Sequence, residues 1–387
     1  NIQIFSFNMK SYEPHISMFK KVFISAVAVS HLSACGGGGD VASSPITYNY
    51  SQGTPSSETS ADQAITNSLV YSLPYDAPNG TSYASVAAAN ITLNSGGDAV
   101  ATVDTNARSA WQQGWTGKNV KVGIADSFNS NGRVDAHGDW VALVQSSVAP
   151  EATVEYADVL STSTLVGLLL DVASAYDYFE TNGYHIINNS WGIERAKRDA
   201  SGAYTGAVYS DFDSLVNTTV QAFDTNATDG SESAQGLYIM AGGNGGVYCA
   251  SRQIENCNWI AAVTDKLREK GYPAGSRLIL VGSLDDNSND LAGYSYFAGD
   301  LKEDFIVAHD DVFSPGDGAG TSFAAPRVAG AAALVKQKFP NLTSEQIKQV
   351  ILQTADDLGT TGVDAVFGYG KLNVLNTLSP QGSVVPK

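Results

Sequence analysis

Apolar residues along this chain keep two different beats, and the beats alternate. Val120, Val122 and Ile124 recur at every second position and stop at Asp126, the period of a strand. Apolar runs at "ATVEYADVL" from Ala152, "HIINNS" from His185, "LYIMAG" from Leu237 and "RLILVGS" from Arg277 read as further strands. Spacings of three and four over residues 165–180, 211–224 and 259–270 read as helices, and a shorter helix over 107–113 precedes the first strand across a Thr116-Gly117 turn. The longest helical beat follows Gly318 in "GAGTSFAAPRVAGAAALVKQ", where Ala324, Ala325, Val328, Ala329, Ala332 and Val335 share a face and Pro326 is expected in a first turn. A last helix, "NLTSEQIKQVILQTADDLG", opens on a Thr343 to Gln346 capping box. Strands alternating with helices of this length predict an α/β fold with a parallel sheet covered on both faces.

Neither beat holds over the first hundred residues. From Met18, "MFKKVFISAVAVSHLSAC" has a basic front, an apolar stretch and small residues before Cys35, the arrangement of a signal peptide and too short for a spanning helix. Leu32-Ser33-Ala34-Cys35 resembles the lipobox of bacterial lipoproteins, which implies cleavage before Cys35 and lipidation of its sulfur; a plain secretory signal is the alternative. Residues 1–17 carry no export logic and read as an over-extended start. The organisation expected is a signal region over 1–34, a flexible tether or propeptide-like segment over 35–105, rich in Gly and Ser at its start, and a folded domain over 106–387.

Composition removes some functions. The formal net charge is −17 and only 16% of residues are charged. Such a surface repels phosphate backbones and anionic lipid, so no nucleic-acid partner is expected, and contact with a membrane is expected through a lipid anchor alone.

Reactive groups collect at the carboxyl ends of strands in parallel sheets. Asp126 stands at one such end, His137 follows eleven positions later before a helical pattern, and Ser322 lies at or just before the start of the long small-residue helix. Alone, Asp126 reads as a turn residue and Ser322 as a helix N-cap. The order Asp, His, Ser is that of the subtilisin triad. "VKVGIADS", the "AHG" element, "NNSWG", "AGGNGG" and "GTSFAAP" with "VAG" resemble, in order, the signature segments of the subtilisin-like serine peptidases. The likeness covers roughly residues 107–376 and implies a three-layer fold with a mostly parallel central sheet. It also implies a serine endopeptidase acting on polypeptides through Asp126, His137 and Ser322, with Asn244 as an oxyanion donor. By the same resemblance Ser190, Trp191 and Gly192 pair with an extended substrate, and Ala241, Gly242 and Gly243 wall the pocket for the residue before the cut. Trp191 could equally be core, and small pocket walls suggest room for a large apolar residue.

Two departures from the family stand out. The interval between Asp126 and His137 is short, which puts the geometry of that pair in question, and Asp139 occupies a position where relatives usually carry Thr. His309 reads as a surface histidine or a cleft residue. "DDNSND" from Asp285 lacks the glycine and glutamate of a calcium loop, so no metal site is assigned and no cofactor is required for the chemistry; structural calcium is left open by the resemblance. Cys249 and Cys257 in an exported chain suggest a disulfide, the alternative being two free thiols. "FGYGKLNV" resembles the family's closing segment, and no alternating strands follow it. The expectation is an exported monomer, tethered at the outer membrane or cell surface or released by processing, without its own transporter. Two other classes are weighed: a binding or adhesion lipoprotein on an inactive scaffold, which calls for a missing catalytic group, and a sedolisin-like acid peptidase, which calls for Glu and Asp where His137 and Asn244 stand.

Overall fold

Six parallel strands form the central sheet of a computed structural model that describes residues 53–55, 105–128, 136–161, 165–198, 204–208, 210, 212–227, 236–246, 258–270, 276–285, 288–311 and 320–380. In chain order they are β1 (Lys121–Asp126), β2 (Thr153–Asp158), β3 (Ile186–Asn189), β6 (Leu237–Ala241), β7 (Leu278–Ser283) and β8 (Phe305–Ala308). Across the sheet the order is β2-β1-β3-β6-β7-β8, every neighbouring pair parallel. The chain therefore steps outward from β1 to β2 and then returns to β3 on the other side. That reversal opens a crevice at the carboxyl end of β1, where Asp126 stands.

The two-residue period of the strands sends alternate side chains to two cores. Ile239, Ile279, Val281 and Ile306 face one, with α1 (Ala107–Gln112), α2 (His137–Ser146), α6 (Thr321–Lys338), α7 (Ser344–Gln353) and α8 (Val374–Thr377). Tyr238, Met240, Leu278, Leu280 and Val307 face the other, with α3 (Leu165–Thr181), α4 (Phe212–Ala227) and α5 (Trp259–Glu269). Helices on both faces give the three layers the sequence predicts. The α6 helix lies buried along most of its length, and Gly330 lets it come close to the chain just after α2, since a Cβ there would stand 2.6 Å from Cβ of Val148.

Some features differ from the sequence reading. The β8 strand was not foreseen, nor was the antiparallel hairpin of β4 (Ala196–Arg198) and β5 (Tyr204–Val208), nor the 3-10 turn Gly299–Asp304. Ser322 is the second residue of α6, not its N-cap, which is Gly320. Pro326 lies past the first turn, inside the helix. Its missing N–H takes a helical partner only from the Ser322 carbonyl, near the amino end of the helix.

Residues 53–55, within the segment read as tether or propeptide, meet the far end of α6. The Gly53 N–H donates to the Lys338 carbonyl at 2.6 Å, and Nε2 of Gln337 donates to the Thr54 carbonyl at 3.2 Å. Gln337 also accepts on Oε1 from the N–H groups of Thr116 and Gly117 and donates to the Gly114 carbonyl. A Cβ at position 53 would stand 1.8 Å from the Gln337 carbonyl oxygen, so only glycine fits there. Among the described residues no helix is long and apolar enough to cross a membrane. Cys35, Cys249 and Cys257 lie outside the described residues.

Candidate active site

The carboxylate of Asp126 is fully buried, and its Oδ1 accepts two bonds, from the Ser127 N–H at 2.7 Å and from Nδ1 of His137 at 2.8 Å. A carboxylate offers only acceptors, so the proton on the imidazole sits on Nδ1 and Nε2 is left with its lone pair. Burial by itself lowers the histidine pKa. The negative charge of Asp126 and the hydrogen bond to it together outweigh that, and the net shift is upward from the ordinary value.

Local sequence explains how eleven positions suffice for this pairing. The Gly138 N–H donates to the Ser127 carbonyl at 2.9 Å, and a Cβ on Gly138 would stand 2.6 Å from both that oxygen and the Phe128 ring. The start of α2 thus presses directly on the end of β1. Asp139, the departure from the family pattern, is buried, and its Oδ2 accepts the Ala136 N–H at 3.0 Å. It closes the first turn of α2 from within and so fixes the two residues between, His137 and Gly138.

The serine approaches from α6. The Phe323 ring lies 5.3 Å from the His137 ring, centroid to centroid, which sets the histidine beside the residue after Ser322. Among the described residues no hydrogen bond joins Ser322 to the imidazole, a looseness common before substrate binds. The N–H of Ser322 belongs to the first turn of α6, where no helical carbonyl is available to it.

Asn244 is held by its oxygen. Its Oδ1 accepts from both the N–H and the hydroxyl of Thr321, each at 3.0 Å, and the Thr321 Oγ1 accepts the Gly243 N–H at 2.9 Å. A backbone N–H can only donate, so this contact determines which end of the amide is oxygen and turns Nδ2 the other way. The ideal Cβ position of Gly320 marks where Nδ2 points, for it lies 3.3 Å from Nδ2 and 3.8 Å from the Ser322 nitrogen. Two donors border one small space that stays open because residue 320 has no side chain. Thr321 and Gly320 were quoted within the serine motif without a role; both build this space.

The expected substrate wall is more occupied than its composition suggests. The N–H of Gly242 goes to the Val281 carbonyl, its carbonyl accepts from Asn258, and the Gly243 carbonyl accepts the Tyr296 N–H. Cβ atoms on Gly242 and Gly243 would stand 2.8 Å from the Val281 carbonyl oxygen and from Asn258 Nδ2, respectively. The missing side chains make room for the protein's own atoms, so the roominess expected here does not follow from these glycines. Ala241 is buried in β6. Ser190 is fully buried with its hydroxyl accepting from Asn188, and the Trp191 ring stacks on Trp259 at 5.3 Å within the second core. Trp191 is thus a core residue, and Gly192 alone of these three is exposed.

The remaining histidines stand elsewhere. His185 precedes β3 at the opposite end of the sheet, and burial, with Lys336 and Lys121 nearby, pushes its pKa down to about 4. Nε2 of His309 meets Nζ of Lys371 at 3.0 Å. Asp285 belongs to a turn in which its N–H bonds the Asp290 carbonyl.

A strand-end aspartate bonded to a histidine, beside a helix-start serine with two donors next to it, is the arrangement of a serine-type peptidase. The chain belongs to the subtilase family (Peptidase_S8), whose model matches residues 121–370. It is 27% identical over 307 residues to subtilisin DY of Bacillus licheniformis, covering 68% of this chain and 92% of that protein. It is 24% identical over 351 residues to an extracellular serine protease of Serratia marcescens, covering 71% of this chain and only 33% of that one. A 55-residue stretch, 14% of this chain and 5% of the other, is 49% identical to the Neisserial autotransporter lipoprotein NalP of Neisseria meningitidis serogroup B. Among solved structures, a lanthipeptide protease aligns with a TM-score of 0.52 at 20% identity, over 73% of this chain and 93% of that one, a likeness of fold.

Proposed function

We propose that the protein cuts polypeptides by acyl transfer, with Ser322 as nucleophile, His137 as general base and then acid, and Asp126 as the group that orients the imidazole and stabilises the imidazolium. The observation that carries this reading is the 2.8 Å contact from His137 Nδ1 to buried Asp126, which leaves Nε2 free to take a proton beside the start of α6. Nε2 takes the Ser322 proton as Oγ attacks the scissile carbonyl, and returns it to the leaving amine as the C–N bond breaks. The carbonyl oxygen gains negative charge in between, and Asn244 Nδ2 with the Ser322 N–H receives it at the positive end of the α6 dipole. Water then repeats the cycle on the acyl-enzyme. No cofactor enters these steps. The backbone around Ser190, Trp191 and Gly192 is the proposed edge for an extended substrate, with Ala241, Gly242 and Gly243 as a wall shaped by backbone.

The chain is proposed to act outside the cytoplasm as a monomer, anchored through a lipid on Cys35 and with Cys249 paired to Cys257. The signal-like stretch before Cys35 supports the first part, and relatives described as extracellular and as a lipoprotein are in keeping with it. Labelling with a serine-directed fluorophosphonate tests the chemistry. Modification of the purified protein but not of S322A supports the reading; a folded protein that stays unlabelled and inactive on peptides removes it. Mass mapping of the mature N-terminus and thiol titration of the unreduced protein test the anchor and the disulfide.

A further inference from the structure

One buried carboxylate beside the serine has no place in the chemistry above. Asp310 lies two positions beyond the end of β8 and is 1% exposed. Its Oδ2 accepts the N–H of Gly320 at 2.5 Å and also the hydroxyl of Tyr294. The contact spans ten positions and ties a strand end to the N-cap of α6. The next residue is tied to the same helix by a separate route. The Asp311 carbonyl accepts from Nη2 of fully buried Arg327 at 2.5 Å, while Nη1 donates to the Phe323 carbonyl at 2.8 Å. The segment after β8 thus grips α6 on both sides of Ser322.

We propose that Asp310 is a positioning residue for the oxyanion site, fixing the peptide that enters Gly320 and, through it, the aim of the Ser322 N–H. The inference rests on Ser322 being the nucleophile. Gly320 separates the two donors, and glycine is the residue whose backbone turns most freely. On its far side Thr321 is already clamped by Asn244. On its near side the bond to Asp310 does the clamping, and Tyr294, bonded to the same oxygen, holds the carboxylate in place. Without that acceptor the buried Gly320 N–H must turn to find another, and the turn misdirects the adjoining N–H donors. A negative group is also well placed at a helix N-terminus. Since charge develops on the substrate oxygen only as the bond is attacked, misaligned donors lower kcat and leave KM nearly unchanged.

The test compares D310A, D310N and Y294F with wild type on a chromogenic peptide, with active sites counted by fluorophosphonate labelling. A peptide boronate serves as the tetrahedral mimic. D310A is expected to lose about tenfold to a hundredfold in kcat, less than removal of a direct oxyanion donor costs. Its boronate affinity falls by a similar factor while KM holds. D310N, whose amide oxygen can accept the same N–H, recovers most of the loss, and Y294F falls between D310N and wild type. A D310A enzyme with wild-type kcat per labelled site and wild-type boronate affinity overturns the proposal, as does D310N no better than D310A. If D310A does not fold, D310S, with a hydroxyl too short to reach Gly320, is judged by the same criteria. A wild type that does not label refutes the nucleophile itself, a result separate from any ranking of the variants.

Discussion

The two ends of α6 treat the backbone groups that the helix itself leaves unpaired in opposite ways. At the carboxyl end, spare polar groups are closed off by the protein: Gly53 takes the Lys338 carbonyl, Nζ of Lys336 donates to the Leu342 carbonyl, and Gln337 makes four bonds to the segments around it. At the amino end, side-chain acceptors hold Gly320 and Thr321 while the Ser322 N–H and Asn244 Nδ2 border an open space. One end is finished for stability. The other is held in place around a gap left by Gly320, the place proposed above for an oxyanion.

Mutations should separate these two ends. The largest effect is expected for Ser322→Ala and His137→Ala, each abolishing most peptide hydrolysis, with the double variant no worse than either because the pair acts as a unit. Steady-state kinetics on all three variants checks this, and multiplied losses would show that the two residues act separately. Asn244→Ala comes next, with kcat falling by about 10²–10³, the size known for the corresponding donor of a subtilisin, and KM little changed. At the other end Gln337→Ala leaves kcat alone and lowers unfolding stability by about 2–4 kcal/mol, because several buried backbone groups lose their partner together. Denaturant unfolding beside kinetics reads both quantities, and a kcat loss in Q337A would mean that the two ends are coupled.

The smallest effect is in pH. The base must be neutral to take the Ser322 proton, and the His137 pKa is raised, so the acid limb of kcat/KM should have its midpoint above the ordinary 6.5. Activity is lost as pH falls through that midpoint. A limb below 6.5 would mean that burial outweighs Asp126. Q337A should leave the limb where it is.

What could be read in advance follows the same division. Strand beats and the Thr343 capping box were visible because each depends on residues close in sequence, whereas the three catalytic candidates stood out only through the order Asp, His, Ser and the resemblance of the segments that carry them. The Asp126 to His137 pair also depends on near neighbours, and Gly138 and Asp139 explain it once seen. The β8 strand escaped because four apolar residues in a polar stretch have too short a period to register, and the β4–β5 hairpin because its two short strands carry no apolar beat. Pro326 was placed a turn too early, since a sequence rule cannot say where helix bonds are dispensable. Asp310 and the packing behind Gly242 and Gly243 were invisible for a deeper reason: their partners lie from ten to more than fifty positions away, and only the folded chain brings them together.

The clip at Gly53 bears on how the molecule would sit on a surface. An 18-residue helix is about 27 Å long, so Ser322 and the point where the upstream chain departs lie at opposite poles. A leash from the anchor proposed at Cys35 to Gly53 has eighteen residues and reaches at most about 60 Å when drawn straight. Were Cys35 anchored as proposed, the attachment would lie at the end of α6 away from Ser322, so the tether itself would not cover the proposed site.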